Sequence, residues 1–382
     1  MIALVTGATG FIGGSLAASL AATGWEVRVL IRPSGRARLQ GEERYRVFEA
    51  DLAGPAALPR EAFTGCEVVF HAAAIRDRWG TSPEEYRRTN VEGTRRLLAA
   101  AAGRARRFVY LSSVGVLGWP GVDGIDESFP AAVRPGEVDY HGTKAAAERI
   151  VRDWRGGPET VVVRPTITYG PGDRDGMLTR LIGLIARDRF VRIGRGENHF
   201  HLTFIDDLVA GLILAGTHPS ARGESLILAG PRSIAVRKII AQIERALGRT
   251  PSPLYLPESV AWPMAWTVEA LYRAAGGLGL VRPGSGPPVT ATKLHVLCAH
   301  RSFSSARAEQ LLGYSPRVDY SEGLESTLAW MRQVGLLLSP HHPSPNSHPA
   351  ARGDDEKPNS QANRVLKDGA QTQEVVCLRD GV

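Results

Sequence analysis

The sequence predicts a doubly wound α/β domain on a parallel sheet, followed by a smaller C-terminal domain. Three observations carry that expectation. Runs of β-forming residues alternate with helical stretches between residues 2 and 164, the pattern of parallel strands joined by helical crossovers. The first run, Ile2-Ala3-Leu4-Val5, passes through Thr6-Gly7-Ala8-Thr9-Gly10-Phe11-Ile12-Gly13-Gly14 into a helical stretch, Ser15 to Ala22. After about Ser339, His, Pro, Ser, Asn and charged residues dominate; such a segment cannot bury enough apolar surface to fold, so 339–382 is expected to be a disordered tail.

A strand, a glycine loop and a helix in succession form the context of a dinucleotide site. Glycine allows a tight turn and lets backbone N–H groups approach a pyrophosphate seated on the helix N-terminus. Thr6, Gly7, Thr9, Gly10, Phe11, Ile12 and Gly13 are therefore candidate cofactor contacts, although the Gly7, Gly10, Gly13 spacing departs from G-x-G-x-x-G. The second run, Glu26 to Ile31, ends in Arg32, where NAD enzymes keep an acid for the ribose hydroxyl. A guanidinium there, with Arg36 and Arg38 following, suits a 2′-phosphate. The expected cofactor is NADP in preference to NAD; a plain surface arginine is the competing reading.

Arg46 to Leu52 is a third run. Asp51, with Leu52, meets the adenine or caps the following turn. Val68 to Ala74 is a fourth, in which Ala72 and Ala73 allow close approach of a cofactor and His71 is packed rather than catalytic. Asn90 lies within a long helix expected from Pro83 to Ala102. Phe108 to Ser113 is the fifth strand and Thr160 to Arg164 the sixth. Tyr140 and Lys144 stand at i and i+4, on one helix face. Ser113 stands at the carboxyl end of a parallel strand, where ligands bind in open α/β sheets. Strand alternation points its neighbour Ser112 away from the same position.

Thr6 to Gly13, His71-Ala72-Ala73, Asn90-Val91-Glu92-Gly93-Thr94, Ser112-Ser113, Tyr140 with Lys144, and Arg164-Pro165 with Tyr169-Gly170-Pro171-Gly172-Asp173 occur in that order. On these motifs residues 1–335 resemble an extended short-chain dehydrogenase/reductase of the NAD-dependent epimerase/dehydratase superfamily. The resemblance implies a Rossmann domain over 1–170, with about 200–215 returning to it, and a mainly substrate-binding domain over 171–338. It implies Ser113, Tyr140 and Lys144 as the catalytic group. It adds Asn90, Ser112, Tyr140, Lys144, Pro165 and Thr166 to the cofactor contacts. A free phenol with a pKa near 10 is a poor base at neutral pH, and a nearby ammonium lowers that value. Tyr140 is then the proton carrier, Lys144 its cation and a ribose contact, and Ser113 the hydrogen-bond partner of the substrate oxygen.

Two departures argue against a sugar-nucleotide substrate. Ile167 follows Arg164-Pro165-Thr166 where epimerases of this family place an asparagine, and Val114-Gly115 follows Ser113 where sugar dehydratases place an acid pair. Arg301 to Pro316 resembles the C-terminal segment of 3-beta-hydroxysteroid dehydrogenases, sterol 4-carboxylate dehydrogenases and 2-alkyl-3-oxoalkanoate reductases, and residues 73–80 resemble the last group. The expected substrate is a small, largely apolar 3-hydroxy or 3-oxo compound. The alternatives are a sugar-nucleotide epimerase, a dihydroflavonol-reductase-like ketone reductase, and a non-catalytic NADP sensor; sensors of this fold typically lack the Tyr and Lys kept here.

Charge and composition set further expectations. The net charge of +7 is dispersed, with no aromatic-interleaved basic stripe, so no nucleic-acid partner is expected. Three cysteines without pair spacing predict neither disulfides nor a metal site and fit a reducing, cytoplasmic compartment. The glycine loop follows residue 2 so closely that no signal peptide is expected. Asp206 or Asp207 is expected to cap the helix that follows, and Val236 to Leu247 to form an amphipathic helix ended by Gly248. The apolar stretch 259–281 is read as a helix over the substrate cleft, with peripheral membrane contact as the alternative. A homodimer is a further expectation.

Overall fold

The computed structural model describes residues 1–76, 80–118, 120–132, 139–251, 254–277, 281, 287 and 290–337. The expected tail at 339–382 lies outside them, as do residues 278–280 of the apolar stretch 259–281. Strands β1 (Ile2–Thr6), β2 (Glu26–Ile31), β3 (Arg46–Glu49), β4 (Cys66–His71), β5 (Ala105–Leu111), β6 (Glu159–Pro165) and β10 (Ser225–Leu228) form one seven-stranded sheet in the order β10-β6-β5-β4-β1-β2-β3. Every pairing in it is parallel. Its strands are rich in Val, Leu and Phe because helices cover both faces.

Side-chain alternation sorts β1 between two apolar layers. Ala3 and Val5 face the layer built with Leu16 and Leu20 of α1 (Phe11–Ala22) and with Leu208 and Leu212 of α6 (Ile205–Thr217). Leu4 faces the other, with Leu97 and Leu98 of α3 (Gly93–Ala101) and Ala147 and Val151 of α4 (Tyr140–Arg152). The helix expected from 83 to 102 is present with one irregularity. α2 (Pro83–Tyr86) continues through a π-helical turn, Arg87–Glu92, into α3. Strand order reverses at β1, flanked by β2 on one side and β4 on the other. That is where open α/β sheets bind ligands, at the carboxyl ends of the strands.

The later chain adds small sheets and helices. β7 (Ile167–Tyr169) pairs in parallel with β9 (His199–Phe204), which pairs antiparallel with β11 (Ser233–Ala235). β8 (Arg192–Ile193) pairs with β12 (Tyr255–Leu256). The helices are α5 (Met177–Ala186), α7 (Val236–Ala246), α8 (Glu258–Gly277), α9 (Ala291–Cys298), α10 (Ala306–Leu312) and α11 (Tyr320–Gln333). α7 ends near Gly248, whose φ of +73° is left-handed, as a helix-stopping glycine allows.

The capping role expected of Asp206 or Asp207 is corrected by the structure. Phe204 is the N-cap of α6, and the buried Asp207 carboxylate instead accepts the backbone N–H groups of Arg317 (2.9 Å) and Val318 (3.0 Å). The aspartate tethers a distant loop rather than its own helix. In α8, Ala261 and Ala265 pack on Leu294, and Glu269 accepts the N–H of Ala291 at 2.8 Å. Val260, Met264, Trp266 and Leu271 of the same helix are exposed. No helix among the described residues is long and apolar enough to cross a membrane.

Candidate active site

The glycine loop turns at the carboxyl end of β1. Gly7 has a φ of +79°, and a Cβ there would lie 2.7 Å from the backbone nitrogen of Ala73. A Cβ on Gly13 would lie 2.3 Å from the Gly7 carbonyl oxygen. Any side chain at either position would push the loop off the β4 end or off its own helix. Gly10 is the N-cap of α1; no side chain caps this helix and its first turn holds no acid. First-turn N–H groups without side-chain acceptors, over a loop that only glycine can form, fit a pyrophosphate.

Buried side chains hold that loop to its neighbours. The Thr6 hydroxyl accepts the Ala73 N–H (3.2 Å) and hydrogen-bonds His71 Nδ1 (2.8 Å). His71 Nε2 hydrogen-bonds the Thr94 hydroxyl at 2.9 Å. Burial, reinforced by the Lys144 charge, pushes His71 down to about 3, so the ring is neutral and ties β1, β4 and α3 together. His71 is packed, as expected from its place in the strand. Asn90, 1% exposed on the π-helical turn, donates to Ile75 O and Thr143 Oγ1 (both 3.1 Å) and accepts the Ile75 N–H (2.8 Å). Its amide thus joins the loop after β4 to α4.

After β2, the Arg32 side chain is exposed and makes no hydrogen bond or ion pair among the described residues. Arg32 is the N-cap of the 3₁₀ turn Pro33–Arg38. Arg36 differs: it is bound to Glu49 at 2.9 Å and to Glu42. A Cβ on Gly35 would stand 3.4 Å from the Thr9 methyl, so this turn abuts the glycine loop. Asp51 accepts the Ala53 N–H (3.0 Å) and caps its turn, and Leu52 is buried against Gly93. Pro165 ends β6; Thr166, also buried, hydrogen-bonds Thr203 (2.5 Å).

The three candidate catalytic side chains come from two elements. Ser113 follows β5, is half-buried, and accepts the Gly115 N–H at 3.1 Å, which leaves its hydroxyl proton to donate. Tyr140 opens α4, whose N-cap Asp139 accepts the Gly142 N–H at 2.7 Å. One turn on, Lys144 is 3% exposed. Its Nζ donates to Leu111 O (2.6 Å) and stands 4.8 Å from the centre of the Tyr110 ring. Leu111 is two residues before Ser113, so one backbone carbonyl ties the lysine to the serine strand. Burial pulls Lys144 down to about 7, and the Glu148 carboxylate acts against it. The Tyr110 phenol is pushed well up by burial and, next, by Tyr140.

Glu148, another turn along α4, was not singled out by the sequence, although it continues the Tyr140, Lys144 stripe. It is buried and receives Arg164 through Nη2 at 2.5 Å and Nε at 3.2 Å. Ser112 also donates to it, at 2.7 Å. The two adjacent serines therefore differ: Ser112 is buried and braces the Glu148 carboxylate, while Ser113 is half-buried and does not bond it.

This combination defines a class, the NAD(P)-dependent enzymes of the extended short-chain dehydrogenase/reductase type. The chain belongs to the NAD dependent epimerase/dehydratase family, whose model matches residues 3–229. It is 31% identical over 339 residues to the 4-hydroxy-2-methyl-3-oxo-4-farnesyl-3,4-dihydroquinoline-1-oxide ketoreductase of Stigmatella aurantiaca, covering 88% of this chain and 97% of that one. It is 28% identical over 320 residues to 3beta-hydroxysteroid-dehydrogenase/decarboxylase isoform 1 of Arabidopsis thaliana, covering 78% and 71%. The crystal structure of gox2253 matches with a TM-score of 0.71 at 30% identity, over 88% of this chain and 99% of that one. The protein is an NAD(P)-dependent oxidoreductase of this family.

Proposed function

We propose that the protein interconverts a secondary alcohol and a ketone on a largely apolar 3-hydroxy or 3-oxo substrate, such as a steroid, a sterol acid or a long-chain β-keto acid. The observation that carries the reading is Tyr140 and the buried Lys144 on one face of α4, with Lys144 tied by Leu111 O to the end of β5, two residues before Ser113. In the reduction direction Tyr140 donates its phenolic proton to the substrate oxygen, and in oxidation it takes that proton. The Lys144 ammonium favours the phenolate. Ser113 donates to the substrate oxygen and fixes its place. A nicotinamide cofactor, its pyrophosphate on the glycine loop, would supply or accept the hydride. Pro165 and Thr166, at the end of β6, and Ala72 and Ala73, at the end of β4, would border it.

Two lines of support favour an apolar substrate. The relatives named above act on a farnesylated quinoline oxide and on a 3β-hydroxysteroid. Ile167 also removes the amide that sugar-nucleotide epimerases keep at its place. The test is calorimetric competition on the NADP-loaded protein, followed by turnover of any ligand that binds. A steroid or long-chain β-keto acid analogue is expected to bind, and a UDP-sugar is not. Micromolar binding of the UDP-sugar, with none of the apolar ligands, would overturn the reading in favour of an epimerase.

NADP is the proposed cofactor, on the strength of Arg32 at the end of β2, with no carboxylate partner among the described residues. Arg32→Asp is expected to weaken NADP binding while weakening NAD binding less or strengthening it. Equal changes for the two cofactors, measured by fluorescence titration, would remove Arg32 from the specificity assignment.

A further inference from the structure

We propose that Asp123, His199 and His300 form a site for a single divalent transition-metal ion of the zinc class. The three residues come from separate segments: the loop after the serine turn, the start of β9, and the stretch after α9. Their ligand atoms lie within 4.8 Å of one another. A tetrahedral zinc site sets its ligands roughly 3.3 Å apart, so small side-chain rotations close the gap. His300 Nε2 and Asp123 Oδ1 are already 2.8 Å apart, and the two imidazoles are stacked with centroids at 5.2 Å.

The surroundings suit ligation. His199 Nδ1 hydrogen-bonds Ser233 Oγ at 3.1 Å; with the proton on Nδ1, Nε2 presents its lone pair, the arrangement that outer-shell partners impose on ligating histidines. His300 Nδ1 accepts the His199 N–H at 3.3 Å. Ligation moves the His300 ring proton from Nε2 to Nδ1 and gives up this long contact, with no net change in its charge. Asp123 exchanges His300 for the ion. Backbone hydrogen bonds hold the segments together without metal: Ile125 N–H donates to Ser302 O (3.0 Å) and Arg301 N–H to His199 O (2.8 Å). The ion would staple a junction that is already folded. With two imidazoles and one carboxylate, zinc, cobalt and nickel are favoured over calcium and magnesium.

The test uses the full chain, stripped with a chelator and titrated with zinc. One ion per chain is expected, with a rise in Tm of about 4 °C at a free zinc concentration about 100-fold above Kd. Cobalt in its place should give visible d–d absorption. His199→Ala should abolish both signals, and Asp123→Asn, at an exposed position, should weaken zinc binding at least about tenfold without changing the metal-free Tm. His341, His342 and His348 are competing ligands in the sequence, so the triple alanine variant at those positions must retain both signals. No stoichiometric uptake, uptake that survives His199→Ala, affinity unchanged by Asp123→Asn, or uptake lost in the triple variant would each overturn the site; the last would mark adventitious binding.

Discussion

Tyr140→Phe is expected to lower kcat by about 10²- to 10⁴-fold, the usual cost of losing a general acid–base group, while cofactor affinity stays within a few-fold. Geometry dictates this split. The phenol stands at the first residue of α4, whereas the glycine loop, the uncapped start of α1 and Lys144 are untouched by loss of one hydroxyl. Asp139 caps the helix through Gly142 and does not need the phenol, so folding should be unaffected. The measurement is single-turnover hydride transfer beside a cofactor titration. Retention of more than about a tenth of the wild-type rate would show that another group carries the proton.

Glu148→Ala should be the most damaging single change to stability near the site. It leaves the Arg164 guanidinium buried, 3% exposed, without its carboxylate, and breaking one partner of a buried pair costs about 3–5 kcal/mol. It also leaves Ser112 without the acceptor at 2.7 Å. Arg164→Met in the same background should recover part of the loss, because the uncompensated charge is then gone. Chemical denaturation of the single and double variants checks both statements. A loss below about 1 kcal/mol for Glu148→Ala would put the pair in the class of surface ion pairs. Folded variant protein should show a second effect. The carboxylate raises Lys144, so without it the ammonium loses its proton at lower pH and the alkaline side of the activity profile moves down.

Much of the nucleotide half was readable because its signals are local. Glu26 to Ile31 has the composition of a buried strand, and β2 has the same bounds. The glycine loop, Ser113, Tyr140 and Lys144 stand in short motifs whose chemistry depends on spacing along one element. What the sequence did not disclose depends on distant partners. Glu148 looks like a solvated helix residue until Arg164 and Ser112 are brought to it from β6 and β5. Asp207 has the composition of a helix cap, but its acceptors were claimed by backbone 110 residues away. Asp123, His199 and His300 share no sequence interval that suggests ligation. The π-helical turn that aims Asn90 at Ile75 and Thr143 likewise has no signature in the run Arg87-Arg88-Thr89-Asn90-Val91-Glu92.

The order of strands in the large sheet has a consequence for biosynthesis. β1 occupies an interior position, yet it is translated before either neighbour, and its second neighbour, β4, is complete only at His71. The outer edge of β6 waits longer still: its partner β10 is residues 225–228. Until then the edge at Val162 and Val163 is unpaired and apolar, the kind of surface on which other chains add strands. Parallel pairing across such long sequence separations is slow. A nascent or truncated chain ending near residue 170 would therefore hold the complete glycine loop and all three candidate catalytic side chains on a sheet whose last edge is open to self-association.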